Sequence, residues 1–572
     1  MHIRALCFSV IATCTFAMLA AGPAQAATAR DLTGIWSSGR DFGPDPLHGQ
    51  IELRQQGGSF VASLGTATVR AQRIPPGLAF AFAGNELQVS MSDGDPLGQW
   101  IQPPTIMTGY RFATPVRFIR VDASTWSGDI HPLADVQRMQ LIVRAAQDGT
   151  IEAFVRNPEA NLGARIGLRR VVVAGSRLRL TKAGSPDIAG TLRGASLTLT
   201  LPGYPDEFTF ERLLNEQGNA GQPLYTPPLR TADGWATGSL DTAGLNAAKI
   251  AALVAIIREE PSTVASPYIQ SLQIARHGQL VVDEYFNGFS IDRPHDVRSA
   301  GKSVTTLLVG RAIEDDARIS PGTLVAALFP QYAPLANDDP RKKAVTVADL
   351  MTMSSGFACD DNDDASPGNE DTMQSQTAQP DWYKYTLDLP MAYQPGARAV
   401  YCSAGINLLG AIVQQQIKMS LQDYFYRRFA APMQFGSYAM WLTPPPTSAA
   451  YMGGGDYYLP RDFLKFGELF LEHGRWNGRP ILDDAWITAC AQPRSTLNSK
   501  DDYGYGWHLS TYTVGGREIK AISAGGNGGQ LLFVFPQLDM TVMITAANYG
   551  QYPVWQKFVS QLVPDYIIAA AR

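Results

Sequence analysis

The chain has 572 residues, 45% of them hydrophobic and 17% charged, which excludes both a single ordinary hydrophobic core and a disordered chain. Its formal net charge is -5 at pH 7 and it has no long run of Lys or Arg, which argues against nucleic acid or an anionic membrane surface as a partner. We expect two domains, or three, and a neutral or modestly charged small-molecule substrate.

The first 26 residues have the pattern of a secretory signal peptide. One basic residue, Arg4, precedes an apolar stretch from Ala5 to Ala21, and Ala24-Gln25-Ala26 fits the small-residue cleavage rule. A membrane anchor is the alternative, but the apolar stretch is short for a bilayer span. We expect cleavage before Ala27, export to the periplasm or the extracellular space, and no stable membrane insertion of the mature protein.

Residues 27–214 are predicted to form an all-β domain. Short alternating runs such as GQIELRQ, SFVASL and SLTLTL are separated by Gly, Pro and Asp clusters. The alternation places Ile51 and Leu53 on one face of a strand, and Leu197 and Leu199 on one face of another. We expect a sandwich or barrel with a binding, substrate-rim or structural role, because no nucleophile, base and orienting group come together in this part.

Residues 215–234, rich in Gly, Pro and polar side chains, indicate a linker to a second domain at 235–572. That domain begins with a helical pattern, LNAAKIAALVAIIREE, and with two strands around His277-Gly278. Helices are predicted in its middle, at VTVADLMTMSSG and YLPRDFLKFGELFLEHG, and strands near its end, at QLLFVFP and MTVMITAANY. Strands at both ends predict a sheet assembled from both ends, with a helical layer inserted.

Only one serine in the chain, Ser299, is followed by a lysine three residues later, Lys302. The sequence continues as an apolar helix, GKSVTTLLVGRAIED, so both side chains are expected on one helix face one turn apart. Burial of the amine would lower its pKa toward that of a usable general base, which a serine hydroxyl needs in order to act as a nucleophile. The alternative is a helix-cap serine beside a solvated lysine.

A second proton carrier is offered by Tyr401-Cys402-Ser403, which lies between a Pro-Gly turn and a helix. Tyr285 has a similar local sequence, but it lies in a strand and is interpreted as core or edge packing. A third element is Ser523-Ala524-Gly525-Gly526, where glycines allow a substrate close to main-chain N–H groups. Its alternative is a flexible hairpin loop.

In this order, the three elements resemble the serine β-lactamase and penicillin-binding protein family, in its class C-like branch with D-alanyl-D-alanine carboxypeptidases, esterases and 6-aminohexanoate-dimer hydrolases. SAGK at 299–302 matches the S-x-x-K motif, YCS at 401–403 matches Y-x-N or Y-x-S, and SAG at 523–525 matches K-T-G. The resemblance covers about residues 233–568. It implies an α+β fold, with a β-lactamase-like or transpeptidase-like domain (an antiparallel sheet with helices on both faces) after the all-β domain, and it implies no cofactor and no metal.

The resemblance also implies roles. Ser299 attacks a carbonyl carbon, Lys302 takes its proton, and Tyr401 carries protons between the nucleophile and the leaving group. The N–H groups of Ser299 and Gly526 form the oxyanion hole, and Ser403 hydrogen-bonds the substrate or Lys302.

Two departures from the family motifs bear on the substrate. Ser403 stands for the family's asparagine, and Ser523 stands for the lysine of K-T-G, which removes the cation that binds the carboxylate of β-lactams and peptidoglycan stems. Ser523 and Gly525 stay candidate substrate-binding residues. We therefore expect an exported serine hydrolase acting on an ester or amide; a D-alanyl-D-alanine peptidase or weak β-lactamase, and a non-catalytic binding protein, are the alternatives.

Three further questions stay open in the sequence. Cys359 and Cys402 form a disulfide in one hypothesis, and in the other they and Cys490 are free buried thiols. The acidic stretch ACDDNDDASPGNEDTMQSQ from Ala358 is expected to be solvated, with a position over the cleft as the alternative. His508 is expected to pack within a strand, and the oligomeric state is not predicted.

Overall fold

In the computed structural model, the described residues are 28–41, 47–75, 77–91, 95–104, 109–134, 136–157, 166–204, 207–212, 223–259, 265–445, 447–497 and 501–571. The predicted signal peptide and the first part of the predicted linker lie outside these ranges. Of the helices within them, none combines the length and apolarity needed to cross a bilayer.

The part of the chain before residue 213 is built from strands, as its alternating pattern predicts. They are β1 Gly34–Asp41, β2 Gly49–Gln56, β3 Ser59–Leu64, β4 Ala67–Arg70, β5 Gln72–Ile74, β6 Gly77–Phe82, β7 Asn85–Ser90, β8 Leu97–Gln102, β9 Arg111–Arg117, β10 Ile119–Arg120, β11 Thr125–Ile130, β12 Val136–Ala145, β13 Ile151–Arg156, β14 Arg169–Ala174, β15 Arg177–Lys182, β16 Ser185–Arg193, β17 Ser196–Thr200 and β18 Glu207–Arg212.

Strands β1 and β12 to β18 close into an antiparallel barrel, because β1 pairs with both β12 and β18. Leu197 and Leu199 point into its core together with Trp36 and Phe208. Strands β2 to β11 form an insertion between the first two barrel strands. Within it, Ile51 and Leu53 share a separate core. The prediction that Ile51 and Leu53 lie on one face of a strand, and Leu197 and Leu199 on one face of another, is confirmed.

Strands continue in the C-terminal part. They are β19 Ala236–Thr237, β20 Ile269–Arg276, β21 Gln279–Tyr285, β22 His295–Asp296, β23 Tyr438–Leu442, β24 Tyr457–Tyr458, β25 Arg475–Trp476, β26 Arg479–Pro480, β27 Ser495–Thr496, β28 Asp502–Tyr503, β29 His508–Val514, β30 Arg517–Gly526, β31 Gln530–Phe535 and β32 Met540–Ala546.

The central sheet of this part has the order β19-β21-β20-β32-β31-β30-β29-β28-β27. All of its neighbours are antiparallel except β19 and β21. The hairpin β20–β21 turns at His277 and Gly278, which both have positive φ, as a two-residue turn requires. Strands from the start and the end of the domain meet at β20 and β32, so the predicted assembly from both ends is confirmed.

The α-helices lie between and around these strands. They are α1 Ala247–Arg258, α2 Gly301–Glu314, α3 Val347–Met351, α4 Glu370–Ser375, α5 Trp382–Asp388, α6 Ser403–Ile417, α7 Leu421–Phe425, α8 Pro460–Leu471, α9 Asp484–Cys490 and α10 Tyr552–Lys557.

Helices cover both faces of the central sheet, because successive residues of β31 point to opposite sides. Leu531 and Phe533 share a core with Leu253 of α1, whereas Leu532 shares a core with Val304 of α2 and Phe463 of α8. The predicted α+β fold, with an antiparallel sheet between helical layers after an all-β part, is confirmed. The predicted domain boundaries stay a prediction.

A second sheet joins the two parts of the chain, which the sequence analysis did not predict. We call it the bridging sheet, and its order is β22-β24-β23-β9-β8-β7-β6-β5. Strand β9 of the N-terminal part pairs antiparallel with β23 of the C-terminal part, with Trp441 opposite Phe112. At its other edge the sheet ends in β22, whose last residue, Asp296, lies three positions before Ser299.

Candidate active site

Ser299 lies in a 3₁₀ turn, Arg298–Ala300, that leads directly into helix α2. The preceding residue, Arg298, has a φ of 49°, an uncommon conformation for a side chain of this size. Both its main-chain N–H and its guanidinium contact the carboxylate of Asp296, each at 2.8 Å, which holds the turn in this shape. Ser299 is partly exposed at the head of the helix, whereas the helix itself is buried.

Lys302 lies one helical turn after Ser299 and is 1% exposed. Its Nζ is 2.8 Å from Ser299 Oγ and donates a 2.6 Å hydrogen bond to the carbonyl of Gly453. Burial lowers the pKa of Lys302, although the carboxylates of Glu370 and Asp361 act in the opposite direction. The predicted contact between amine and hydroxyl is present, in an environment that favours the neutral amine a general base needs.

Tyr401 faces the same pair, with its ring centroid 5.0 Å from Lys302 Nζ. Burial raises the pKa of Tyr401 above its usual range, and a hydrogen bond with Ser299 works against that rise. Its phenol therefore keeps its proton at neutral pH. The geometry brings Ser299, Lys302 and Tyr401 together, as the motifs predicted, while Tyr285 lies in β21 and lines neither cavity described below.

The segment after Tyr401 is anchored by a disulfide between Cys359 and Cys402, so the disulfide hypothesis is confirmed and Cys490 is a free buried thiol. The pairing joins the acidic stretch to the proposed proton carrier. Two residues after Cys359, the N–H of Asp361 donates to the carbonyl of Tyr401 at 2.9 Å.

Ser403 makes a different contact from the one we expected. It is fully buried at the start of α6, and its main-chain N–H and its hydroxyl both donate to Oδ2 of Asp361, each at 2.7 Å. Its hydroxyl therefore holds Asp361 and not Lys302, and the side chain does not line the cavity. The reason is local: the carboxylate satisfies N–H groups at the start of a helix, which otherwise lack a partner.

The third element also lies at Ser299. Strand β30 ends at Gly526, and a β-carbon on that glycine would collide with the carbonyl oxygen of Val297, two residues before Ser299. Ser523, Gly525 and Gly526 line one cavity with Ser299. Glycine thus lets the strand edge approach the turn that carries the hydroxyl.

These elements enclose what we call the main cavity, of about 690 Å³. Most of the charged residues that line it are carboxylates: Asp360, Asp361, Glu370 and Asp501. Within the described part of the chain, the lining has one guanidinium, that of Arg398. Apolar and aromatic side chains also line the cavity. Its lining includes Leu531, Phe533, Tyr552, Trp555 and Val559.

The acidic stretch is solvated only in part: Asp363 and Asp364 are exposed, as expected, whereas Asp360, Asp361 and Glu370 line the cavity. Burial raises the pKa of Asp361 to about 6, with the neighbouring carboxylate of Glu370 adding to the rise and Lys302 opposing it. Glu370 accepts a 2.6 Å hydrogen bond from the hydroxyl of Tyr451. The disulfide and these contacts draw inward a segment whose composition resembles that of a solvated loop.

His508 lies opposite Ser523 in the central sheet and packs edge-on against Tyr503, with ring centroids 4.9 Å apart. The expected packing role is present, and the side chain also lines the main cavity. Burial lowers the pKa of His508, which disfavours the charged imidazolium.

The sequence analysis missed the glycines at 453–455. The carbonyl of Gly453 accepts from Lys302, and a β-carbon on Gly454, whose φ is 115°, would collide with the carbonyl of Arg298. The N–H of Gly455 donates to the same Arg298 carbonyl at 3.2 Å. The run MGGGD was a usable signal, since consecutive glycines indicate a close backbone approach.

The family model described as Beta-lactamase matches residues 268–553, half of the chain. The chain is 22% identical over 329 residues to the 6-aminohexanoate-dimer hydrolase of Paenarthrobacter ureafaciens, with 50% of this chain and 80% of that protein aligned. Among solved structures, unliganded simvastatin synthase LovD from Aspergillus terreus aligns with a TM-score of 0.46 at 15% identity, over 57% of this chain and 99% of that one. A penicillin binding protein from Bacillus halodurans aligns with a TM-score of 0.40 at 17% identity, over 51% and 95%.

Proposed function

This chain belongs to the beta-lactamase family of serine hydrolases, and we propose that it cleaves an ester or amide bond through a covalent intermediate on Ser299. The observation that carries the proposal is the 2.8 Å distance between Ser299 Oγ and the buried Nζ of Lys302, at the wall of a substrate-sized cavity. When this amine is in its neutral form, a hydroxyl this close to it can lose its proton as it attacks.

In the proposed reaction, Ser299 Oγ bonds to the carbonyl carbon while its proton passes to Lys302. The negative charge that develops on the carbonyl oxygen is met by the N–H groups of Ser299 and Gly526, where one lost donor typically costs ~3 kcal/mol of barrier. Tyr401 carries the proton to the leaving oxygen or nitrogen, which departs as an alcohol or amine. Water then attacks the acyl-enzyme by the same route in reverse and releases the acid.

The charge of the main cavity supports a substrate without a carboxylate. Ser523 supplies no cation, and the carboxylates of Asp360, Asp361 and Glu370 would repel an anionic group held near Ser299. The apolar side chains in its lining, such as Phe533 and Trp555, fit a hydrocarbon part. An uncharged ester or amide with an apolar group is therefore favoured over β-lactams and peptidoglycan stems, which carry that carboxylate.

Activity-based labelling tests the nucleophile. Wild-type protein should react with a fluorophosphonate probe, and Ser299→Ala should not. Ser303→Ala is the matched control, because Ser303 lies one turn later in α2 and donates to the carbonyl of Gly506, away from the proposed chemistry. No labelling of wild type would favour the non-catalytic binding protein, and equal labelling of Ser299→Ala would exclude Ser299 as the nucleophile.

Substrate preference is tested by measuring p-nitrophenyl acetate beside nitrocefin, a chromogenic cephalosporin. The acidic cavity predicts ready turnover of the uncharged ester and slow turnover of the lactam. Fast nitrocefin hydrolysis would favour the β-lactamase alternative instead, with Arg398 as the only candidate cation among the described lining residues.

We further propose export. The signal-like residues 1–26 and the Cys359–Cys402 disulfide both support an oxidising compartment. Mass spectrometry of the protein secreted or fractionated from a bacterial host should find a mature N-terminus near Ala27. Accumulation in the cytoplasm with the first 26 residues retained would contradict export.

A further inference from the structure

A second cavity, of about 300 Å³, opens on Ser299 from the side of the 453–455 glycines. Ser299 and Glu370 line both this cavity and the main one. The second cavity differs from the main one in that part of its wall comes from the N-terminal all-β region, through Tyr110 and Phe112.

The bridging sheet explains how the N-terminal region reaches this position. Phe112 lies in β9, directly opposite Trp441 of β23. Strand β23 pairs with β24, and β24 pairs with β22, where Asp296 lies opposite Tyr457. One hydrogen-bonded sheet therefore fixes Phe112 relative to the turn that carries Ser299.

Side-chain contacts hold the wall in place. The ring of Tyr110 packs against Trp441 with centroids 4.2 Å apart, and its hydroxyl donates to Gln374 of α4 at 3.3 Å. Phe112 packs edge-on against Tyr457 with centroids 5.4 Å apart. Tyr110 and Phe112 thus lie beside two aromatic residues of the C-terminal part, and all four rings line the second cavity.

Charge at the cavity is mainly negative. Glu370 and the exposed Asp371 line it from α4, while the guanidinium of Arg298 is paired with Asp296. An aromatic lining favours stacking or edge contacts with another ring, and the carboxylates disfavour an anionic substituent on that ring.

We propose that the second cavity is a substrate subsite for an aromatic group without negative charge, and that Tyr110 and Phe112 make the N-terminal region a specificity-determining element of the hydrolase. This inference rests on the proposed function, because the subsite would hold a group on one side of the bond that Ser299 attacks. It assigns to the N-terminal region a direct contact with substrate.

The test compares three esters by titrating the released acid: ethyl acetate, benzyl acetate with the ring on the alcohol side, and ethyl phenylacetate with the ring on the acyl side. At least one aromatic ester should exceed ethyl acetate in kcat/KM by tenfold or more in wild type. Tyr110→Ala should reduce that advantage to threefold or less, mainly through KM. Ile119→Ala, which removes an exposed side chain of β10 elsewhere in the N-terminal region, should keep the wild-type ratio.

Charge is tested by adding a 4-carboxylate to the ring of the preferred aromatic ester, and wild type should hydrolyse the charged ester at least tenfold less efficiently than the uncharged one. Asp371→Asn should recover part of that loss, whereas Asp364→Asn, which removes one exposed charge from the same acidic stretch outside the cavity lining, should not. Equal recovery by both variants would point to overall charge and would overturn the subsite assignment.

Binding separates this inference from the proposed function. Calorimetry should detect binding of the preferred aromatic ester to the full-length Ser299→Ala protein, and adding Tyr110→Ala should weaken it threefold or more. Unchanged affinity, or unchanged ester ratios in folded Tyr110→Ala, would overturn the subsite even if the enzyme is active. Weakened affinity without any turnover by wild type would keep the subsite and refute only the proposed function. If thermal unfolding shows that Tyr110→Ala is not folded, Tyr110→Leu, which keeps apolar bulk without the ring, gives the same comparison.

Discussion

Replacing Lys302 by methionine tests the central step of the proposed mechanism, because it keeps the unbranched side chain and removes the amine. Lys302 makes two contacts, at 2.8 Å to Ser299 Oγ and at 2.6 Å to the Gly453 carbonyl. Loss of a general base typically lowers the rate by about 10²- to 10⁴-fold. At about 1.4 kcal/mol per factor of ten, that is roughly 3 to 6 kcal/mol of lost transition-state stabilisation.

Stability should change much less than activity. The Gly453 carbonyl loses a donor, which costs about 1–3 kcal/mol when the acceptor is buried, and removal of a desolvated amine offsets part of that cost. Lys342→Met is the matched control. Lys342 is also a buried lysine, 4% exposed, and its Nζ donates to the carbonyls of Ala336 and Leu387. None of these three residues lines either cavity.

The assay is hydrolysis of p-nitrophenyl acetate, with urea unfolding of each variant as the measure of folding. Lys342→Met should lose stability and keep its kcat/KM, whereas Lys302→Met should lose about 10²-fold or more. The pH profile gives a second reading: the amine must be neutral to accept a proton and burial lowers the pKa of Lys302, so kcat/KM should rise with pH and level off below pH 10.5. A folded Lys302→Met that keeps more than a tenth of wild-type activity would refute the role of the amine as base.

Other predictions follow from single contacts. The double variant Cys359→Ser/Cys402→Ser opens a cross-link across 43 residues and should lose about 4 kcal/mol of unfolding free energy on the chain-entropy estimate, measured by urea unfolding without reductant. Gly454→Ala should lower kcat/KM by ~10²-fold or more, because its β-carbon would collide with the Arg298–Ala300 turn that carries Ser299. Gly58→Ala, where a β-carbon meets open space, should keep its activity. Equal activities of the two variants would contradict the close approach. Burial raises the pKa of Glu468 to about 7 from 4.5, so the folded state holds a proton that the unfolded state loses, and stability falls as pH rises through that window. Glu468→Gln should remove about 3 kcal/mol of that fall. The difference in unfolding free energy between pH 5 and pH 8, measured by urea unfolding, should therefore be smaller in the variant than in wild type.

Local patterns predicted the pair at the centre of the site. Ser299 lies in the 3₁₀ turn that leads into α2 and Lys302 in the first turn of α2, and a spacing of three residues across this helical junction brings their side chains together. Tyr401 was found through its motif and its place beside a turn. These predictions depend on short-range geometry, which the sequence carries directly.

Long-range placement could not be predicted in the same way. The bridging sheet pairs Phe112 with Trp441 across more than three hundred residues, and β9 has no feature that distinguishes a partner in the C-terminal part from one in its own region. The same limit applies to Ser403. Its contact with Asp361 depends on how a loop folds back onto the start of α6, and the residue types alone are equally compatible with the contact to Lys302 that the family motif implies.

A covalent link holds part of the acidic stretch at the main cavity. Composition favours solvation, yet the disulfide fixes Cys359 beside Cys402, and the next hydrogen bonds hold Asp361 against Tyr401 and Ser403. The carboxylate therefore keeps a set position relative to the proposed proton carrier, and it does so in spite of the desolvation that raises its pKa to about 6. A fixed charge opposes an incoming anion more strongly than a mobile one, since a loop free to move would relax away or be screened by solvent. Discrimination against carboxylate-bearing substrates should consequently depend on the disulfide as well as on the missing lysine at position 523.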